Sequence, residues 1–69
     1  RLATYLLDLA KASGTNEFSL PMKMKELALF LGTTPETLSR KFKLLEQEQL
    51  IQRNKRLVVL LDPAGLEDI

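Results

Sequence analysis

Residues 24 to 50, MKELALFLGTTPETLSRKFKLLEQEQL, decide how the chain folds. Met24, Leu27, Ala28 and Leu31 recur at i, i+3, i+4 and i+7, and further on Leu38, Phe42 and Leu45 share one helical face. Each set draws a single apolar stripe along a helix. Between the stripes, Gly32 supplies backbone free to turn left-handed. Thr34, Pro35 and Glu36 follow as helix cap, first-turn proline and first-turn acid. The product is two helices meeting at a sharp corner, the second running from Pro35 to about Gln47. Ala28 is small enough for the second helix to cross close by, and Leu38 stands where an inward anchor is needed. This is helix-turn-helix spacing.

Working outward, residues 2 to 13 read as an amphipathic helix with Leu2, Tyr5, Leu6, Leu9 and Ala10 inward and Leu7 projecting away. Ser13, Gly14, Thr15 and Asn16 end it. Phe18, Ser19 and Leu20 alternate and suit a short strand, which Pro21 closes because it has no N–H for a ladder. On the other side, Leu50 to Arg53 and Leu57 to Leu61 are β-compatible runs. Asn54 and Lys55 between them predict a two-residue hairpin turn, since Asn tolerates positive φ. Arg53, Lys55 and Arg56 are expected to project from it as a basic tip. Asp62 and Pro63 start a short last helix carrying the apolar Leu66 and Ile69. The order helix, strand, helix, turn, helix, hairpin predicts a mainly α fold with a small β-sheet. Its architecture is a winged helix-turn-helix, a three-helix core with a β-hairpin wing, spanning residues 1 to 69 as one domain.

The composition bounds the function. A chain of 69 residues buries only about 60% of its unfolded surface and has room for one core. No apolar run approaches the roughly 18 residues of a membrane span, and a cytoplasmic location is expected. Without cysteine or histidine, thiolate metal sites, disulfides and His-based acid/base catalysis have no residues to use here. No catalytic residues, metal or cofactor are expected in this segment. The net charge of +1 hides a partition: residues 22 to 56 carry eight bases against four acids, and residues 57 to 69 carry three acids and no base. The positive excess lies on the helix-turn-helix and the wing, where a polyanion such as double-stranded DNA would dock.

With Leu38, Phe42 and Leu45 inward, a rotation of 100° per residue puts Glu36, Arg40, Lys43 and Gln47 on the opposite face, with Ser39 at its edge. Arg40 can give two parallel hydrogen bonds to guanine O6 and N7, Glu36 can accept from a cytosine amino group, and Ser39 can reach a base or a phosphate. These three are the candidate base-contacting residues. Glu36 and Arg40 also suit an exposed i, i+4 ion pair contributing about 0.3 to 0.5 kcal/mol. Such a pair would orient the arginine in the free protein. Candidate phosphate contacts are Lys23 and Lys25 at the start of the first helix and the hydroxyls and amides of Thr33 and Thr34. Lys41 and Lys43 beside the reading face, and Arg53, Lys55 and Arg56 on the wing, complete the set.

The segment GTTPETLSRKFKLLEQEQLI, residues 32 to 51, resembles the recognition-helix signature of the Crp/Fnr family of bacterial transcription regulators. RLATYLLDLA at the start, FSLPMKMKELALFLG and the DPAGL after the wing extend the likeness over essentially all of the chain. The resemblance implies a carboxy-terminal DNA-binding domain of a longer regulator, behind a sensor domain and a long dimerisation helix that are absent here. It implies a homodimer on palindromic DNA, with RNA polymerase as a further partner and the sensor's effector unspecified. It places the family's base-contacting positions on Glu36, Ser39 and Arg40, looks more like the Fnr side than the Crp side, and so implies TTGA-like half-sites. Three positions depart from the family pattern. Lys23 replaces a capping Thr or Ser, Gln49 stands where a glycine commonly ends the recognition helix, and Lys41 occupies an often apolar position. The competing expectation is a winged-helix module for protein contact, working through Leu7, Leu29 and Leu44.

Overall fold

The computed structural model describes residues 2 to 69. Its elements are α1 (Leu2–Ser13), β1 (Glu17–Ser19), α2 (Met24–Phe30), α3 (Pro35–Gln47), β2 (Ile51–Asn54), β3 (Leu57–Leu60) and α4 (Pro63–Glu67). The three strands form one antiparallel sheet in the order β1-β3-β2. The early strand therefore pairs with the far arm of the hairpin, as expected of a winged helix-turn-helix.

The apolar stripes meet in a single core. Leu2, Leu6 and Ala10 of α1, Leu27 and Ala28 of α2, and Leu38, Phe42 and Leu45 of α3 are all buried. Phe18, Ile51, Val58 and Leu60 close it from the sheet side, and Leu66 of α4 closes it from below α1. Leu7 departs from expectation. It is half-buried and packs against the core, because α1 is flanked by other elements over more than its main stripe. Leu29 and Leu44 are solvent-exposed, as is Ile69 at the end of the chain.

The corner between α2 and α3 follows from local chemistry. Gly32 sits at φ +74°. Its N–H donates to the Leu29 carbonyl at 3.1 Å, and that of Thr33 donates to the Ala28 carbonyl at 2.8 Å, closing α2 with a left-handed cap. The chain then re-enters a helix at once, because Thr34 Oγ1 accepts from the Thr37 N–H at 3.2 Å and Pro35 occupies the first helical position. At its far end α3 repeats the α2 device without a glycine. Gln49 adopts φ +61° while the N–H groups of Gln49 and Leu50 donate to Glu46 and Leu45 carbonyls. At the start of α2, Lys23 has no side-chain acceptor to offer. The interaction runs the other way, the Lys23 N–H donating to Glu26 Oε1 at 3.3 Å.

The hairpin turn lies one residue later than the sequence suggested. Ile51 pairs with Leu60, Arg53 with Val58 and Asn54 with Leu57, so the turn is Lys55 and Arg56, and Lys55 rather than Asn54 takes positive φ, at +59°. Burial decides the register. Setting Ile51 opposite Leu60 stacks both on the core face together with Val58, whereas a one-residue slip would turn a strand's apolar residues outward. Leu50 lies outside the strand, and its carbonyl accepts from the N–H groups of Leu61 and Asp62 at 2.8 and 3.1 Å. Among the described residues, no helix is long and apolar enough to cross a membrane.

Candidate nucleic-acid interface

Helix α3 is pinned from beneath, with Leu38 1% and Phe42 0% exposed. That burial fixes its rotation and turns Glu36, Arg40, Lys43 and Gln47 to solvent, with Ser39 half-buried at the margin. Among the described residues, no ion pair joins Glu36 to Arg40 within 4.0 Å. The expected orienting pair is therefore not formed in this structure, where both side chains are exposed and such a pair is worth little. The guanidinium of Arg40 is left open to an external acceptor.

The five lysines Lys23, Lys25, Lys41, Lys43 and Lys55 are all exposed, Lys43 on this face and Lys41 on the flank of α3 that it shares with Leu44 and Glu48 beside Leu2 of α1. The start of α3 offers less backbone than expected. Thr33 spends its N–H on the Ala28 carbonyl and is itself half-buried. Pro35 has no N–H, and the Thr37 N–H is taken by Thr34. Thr34 remains exposed, with its hydroxyl donating to Thr37 Oγ1 at 3.0 Å.

The wing arginines differ most from the expected basic tip. Arg53 does not project. It is half-buried, with its Cζ 4.9 Å from the centroid of the Phe42 ring and Nη1 donating to the Lys55 carbonyl at 2.9 Å. Its place follows from strand alternation, because Ile51 faces inward and the residue two further on shares that face. That signal was present in the sequence. Arg56 lies in the turn and donates through Nε and Nη2 to the Leu20 carbonyl at 3.2 and 3.1 Å, while the Leu20 N–H donates to the Arg56 carbonyl at 2.7 Å. This clamp joins residues 36 apart in sequence and left no local signature. Of the three wing cations, Lys55 alone extends from the turn without such an intramolecular hydrogen bond among the described side chains. Away from this surface, burial raises the pKa of the Tyr5 phenol above its ordinary value. The Tyr5 ring packs against Phe30, with centroids 5.7 Å apart.

The geometry has counterparts among known proteins. The family model described as the Crp-like helix-turn-helix domain matches residues 1–69. The probable transcriptional regulator flp of Lacticaseibacillus casei is 47% identical over 68 residues, covering 99% of this chain and 31% of that protein. The transcriptional activator protein FnrA of Stutzerimonas stutzeri is 37% identical over 71 residues, covering 96% of this chain and 29% of that protein. Among solved structures, the CO-dependent transcription factor CooA from Carboxydothermus hydrogenoformans superposes with a TM-score of 0.88 at 30% identity, covering 99% of this chain and 34% of CooA. A Crp/Fnr-family regulator from Eubacterium rectale gives a TM-score of 0.85 at 28% identity, covering 99% of this chain and 31% of that one. The chain thus spans about a third of the length of the curated relatives it matches. With its corner at Gly32, its capped α3 and its paired wing, this chain belongs to the Crp-like helix-turn-helix family.

Proposed function

We propose that this chain is the sequence-specific, double-stranded DNA-binding unit of a transcription regulator, with α3 as its recognition helix. The observation that carries this reading is the burial of Leu38, Phe42 and Leu45, which leaves Arg40 unpaired and Glu36 exposed on the opposite face. A helix about 10 to 12 Å across enters the major groove of B-form DNA, which is about 12 Å wide. From there Arg40 reaches guanine O6 and N7, Glu36 accepts from a cytosine amino group, and Ser39 contacts a base or a phosphate. Thr34 and the exposed lysines Lys23, Lys25, Lys41, Lys43 and Lys55 supply backbone contacts that fix register and steepen salt dependence.

The relatives' names as transcriptional regulators support a role in gene control. By the likeness to the Fnr side of the family, the site is a palindrome of TTGA-like half-sites read by a homodimer, with RNA polymerase as a further partner in the cytoplasm. The protein-contact alternative is weakened at one of its three residues, since Leu7 packs into the core; Leu29 and Leu44 remain exposed.

The test compares wild type with Arg40→Ala on a duplex carrying TTGA half-sites and on a scrambled duplex. A bidentate base contact contributes about 1 to 3 kcal/mol of discrimination, so the variant should lose roughly 5- to 150-fold in affinity for the TTGA duplex. Its preference over the scrambled duplex should shrink alongside. Equal affinity and equal preference for both proteins would overturn the assignment.

A further inference from the structure

We infer that Arg53 is a positioning residue that locks the wing to the recognition helix and is not one of the wing's phosphate contacts. The inference rests on the DNA-binding reading and goes beyond it. Four observations carry it. The Arg53 guanidinium lies over the ring of Phe42, the fully buried side chain at the centre of α3's inward face, with 4.9 Å between Cζ and ring centroid. From that position Nη1 donates to the carbonyl of Lys55 at 2.9 Å. Lys55 is the turn residue that the strand register places at φ +59°, a sparsely populated conformation for a residue with a Cβ, so the Arg53 bond lands on the strained point of the turn. Finally, Arg53 Nε is buried with no hydrogen-bond partner among the described residues. A buried, unpartnered donor is costly, and it is kept where the ring face beneath the guanidinium offsets part of that cost.

One planar cation thus touches both DNA-facing elements, the underside of α3 through Phe42 and the tip of the wing through the Lys55 carbonyl. Its flat face lies on the ring and its Nη1 is committed to the turn carbonyl, in a side chain that is half-buried. The consequence is a division of labour on the wing: Arg53 sets where the tip stands relative to α3, and Lys55, whose backbone it fixes, meets the phosphate. Lysine cannot replace arginine in this role, because a compact ammonium has neither the flat face for the ring nor the fork that reaches the carbonyl at the same time.

Two measurements test this on Arg53→Lys, Arg53→Met and Lys55→Met. The first is the dependence of DNA affinity on salt, between about 50 and 200 mM, where each phosphate contact contributes about 0.9 to the log-log slope. A positioning role predicts that both Arg53 variants lose about tenfold in affinity with the wild-type slope. Lys55→Met should instead flatten the slope by about 0.9. If Arg53→Lys binds like wild type and Arg53→Met flattens the slope, Arg53 contacts phosphate and the inference is wrong. If neither variant changes affinity, it is equally wrong. The second measurement needs no DNA: amide hydrogen exchange in the free protein should quicken at Leu57 and at Leu20, whose N–H donates to the turn carbonyl of Arg56 at 2.7 Å, in both Arg53 variants while α1 keeps its protection. Unchanged exchange at Leu20 and Leu57 overturns the lock. Failure of the wild type to bind any duplex would count against the DNA-binding reading alone, and the exchange data would still decide the role of Arg53.

Discussion

Among the described residues, two other than glycine hold left-handed backbone, Gln49 at φ +61° and Lys55 at φ +59°, and they do so for different reasons. Gln49 follows α3, where the demand is conformational: its exposed side chain makes no hydrogen bond among the described residues, and the helix cap is made by backbone groups. Left-handed geometry costs a residue with a Cβ about 1 to 2 kcal/mol, which glycine avoids at some cost in chain entropy. Gln49→Gly should therefore stabilise the fold by about 1 kcal/mol in chemical denaturation. DNA affinity should not change, because Gln49 lies beyond the reading face. Lys55 pairs the same strain with a charge at the wing tip. Lys55→Gly should gain similar stability and yet lose about 0.9 of salt slope. A Lys55→Gly protein that binds DNA with the wild-type salt dependence would remove the lysine from the interface.

Among the elements, α4 is short and its position depends on close approach rather than area. The Gly65 N–H donates to Asp62 Oδ1 at 3.0 Å, and a Cβ at that position would stand 2.6 Å from Asp62 Oδ2 and 2.7 Å from Leu50 Cδ2. Gly65→Ala should displace the Asp62 cap and press on the buried Leu50 together. Overpacking of this kind typically costs about 1 to 3 kcal/mol, visible as a lowered Tm. An unchanged melting curve would mean that α4 can slide outward at no cost. The longer elements were legible from the sequence because each carries its own instructions. Helix α3 has a cap, a first-turn proline and a stripe, and its observed bounds, Pro35–Gln47, are those the sequence implied. The hairpin turn was less legible because its register answers to the core and not to the turn residues. Asn54 is the better left-handed residue, yet pairing Ile51 with Leu60 places Lys55 in that position. At the candidate interface, exposure of Glu36 and Arg40 could be read from periodicity. The Arg56 clamp on Leu20 could not, since it joins segments that only the folded sheet brings together.

At the scale of the whole molecule, the core is closed by elements distant in sequence. Helix α1 packs on α4, and β1 pairs with β3. The sheet thus depends on residues 17 to 19 meeting residues 57 to 59, and the helical layer depends on Leu66, which is 1% exposed. A chain ending at residue 61 should fail to fold cooperatively, because it uncovers Leu2 and Leu6 in addition to removing Leu66 and frees the Leu50 carbonyl from Asp62. Loss of the cooperative thermal transition in circular dichroism is the expected readout. A sharp transition close to that of the intact chain would show α4 to be dispensable. The packing of the first helix on the last also bears on biosynthesis. A ribosome making this segment releases α1 long before α4 exists, so the nascent helix must wait with its apolar stripe uncovered. The fold can close only after its last helix has cleared the exit tunnel, so this segment becomes competent when its end emerges rather than its beginning.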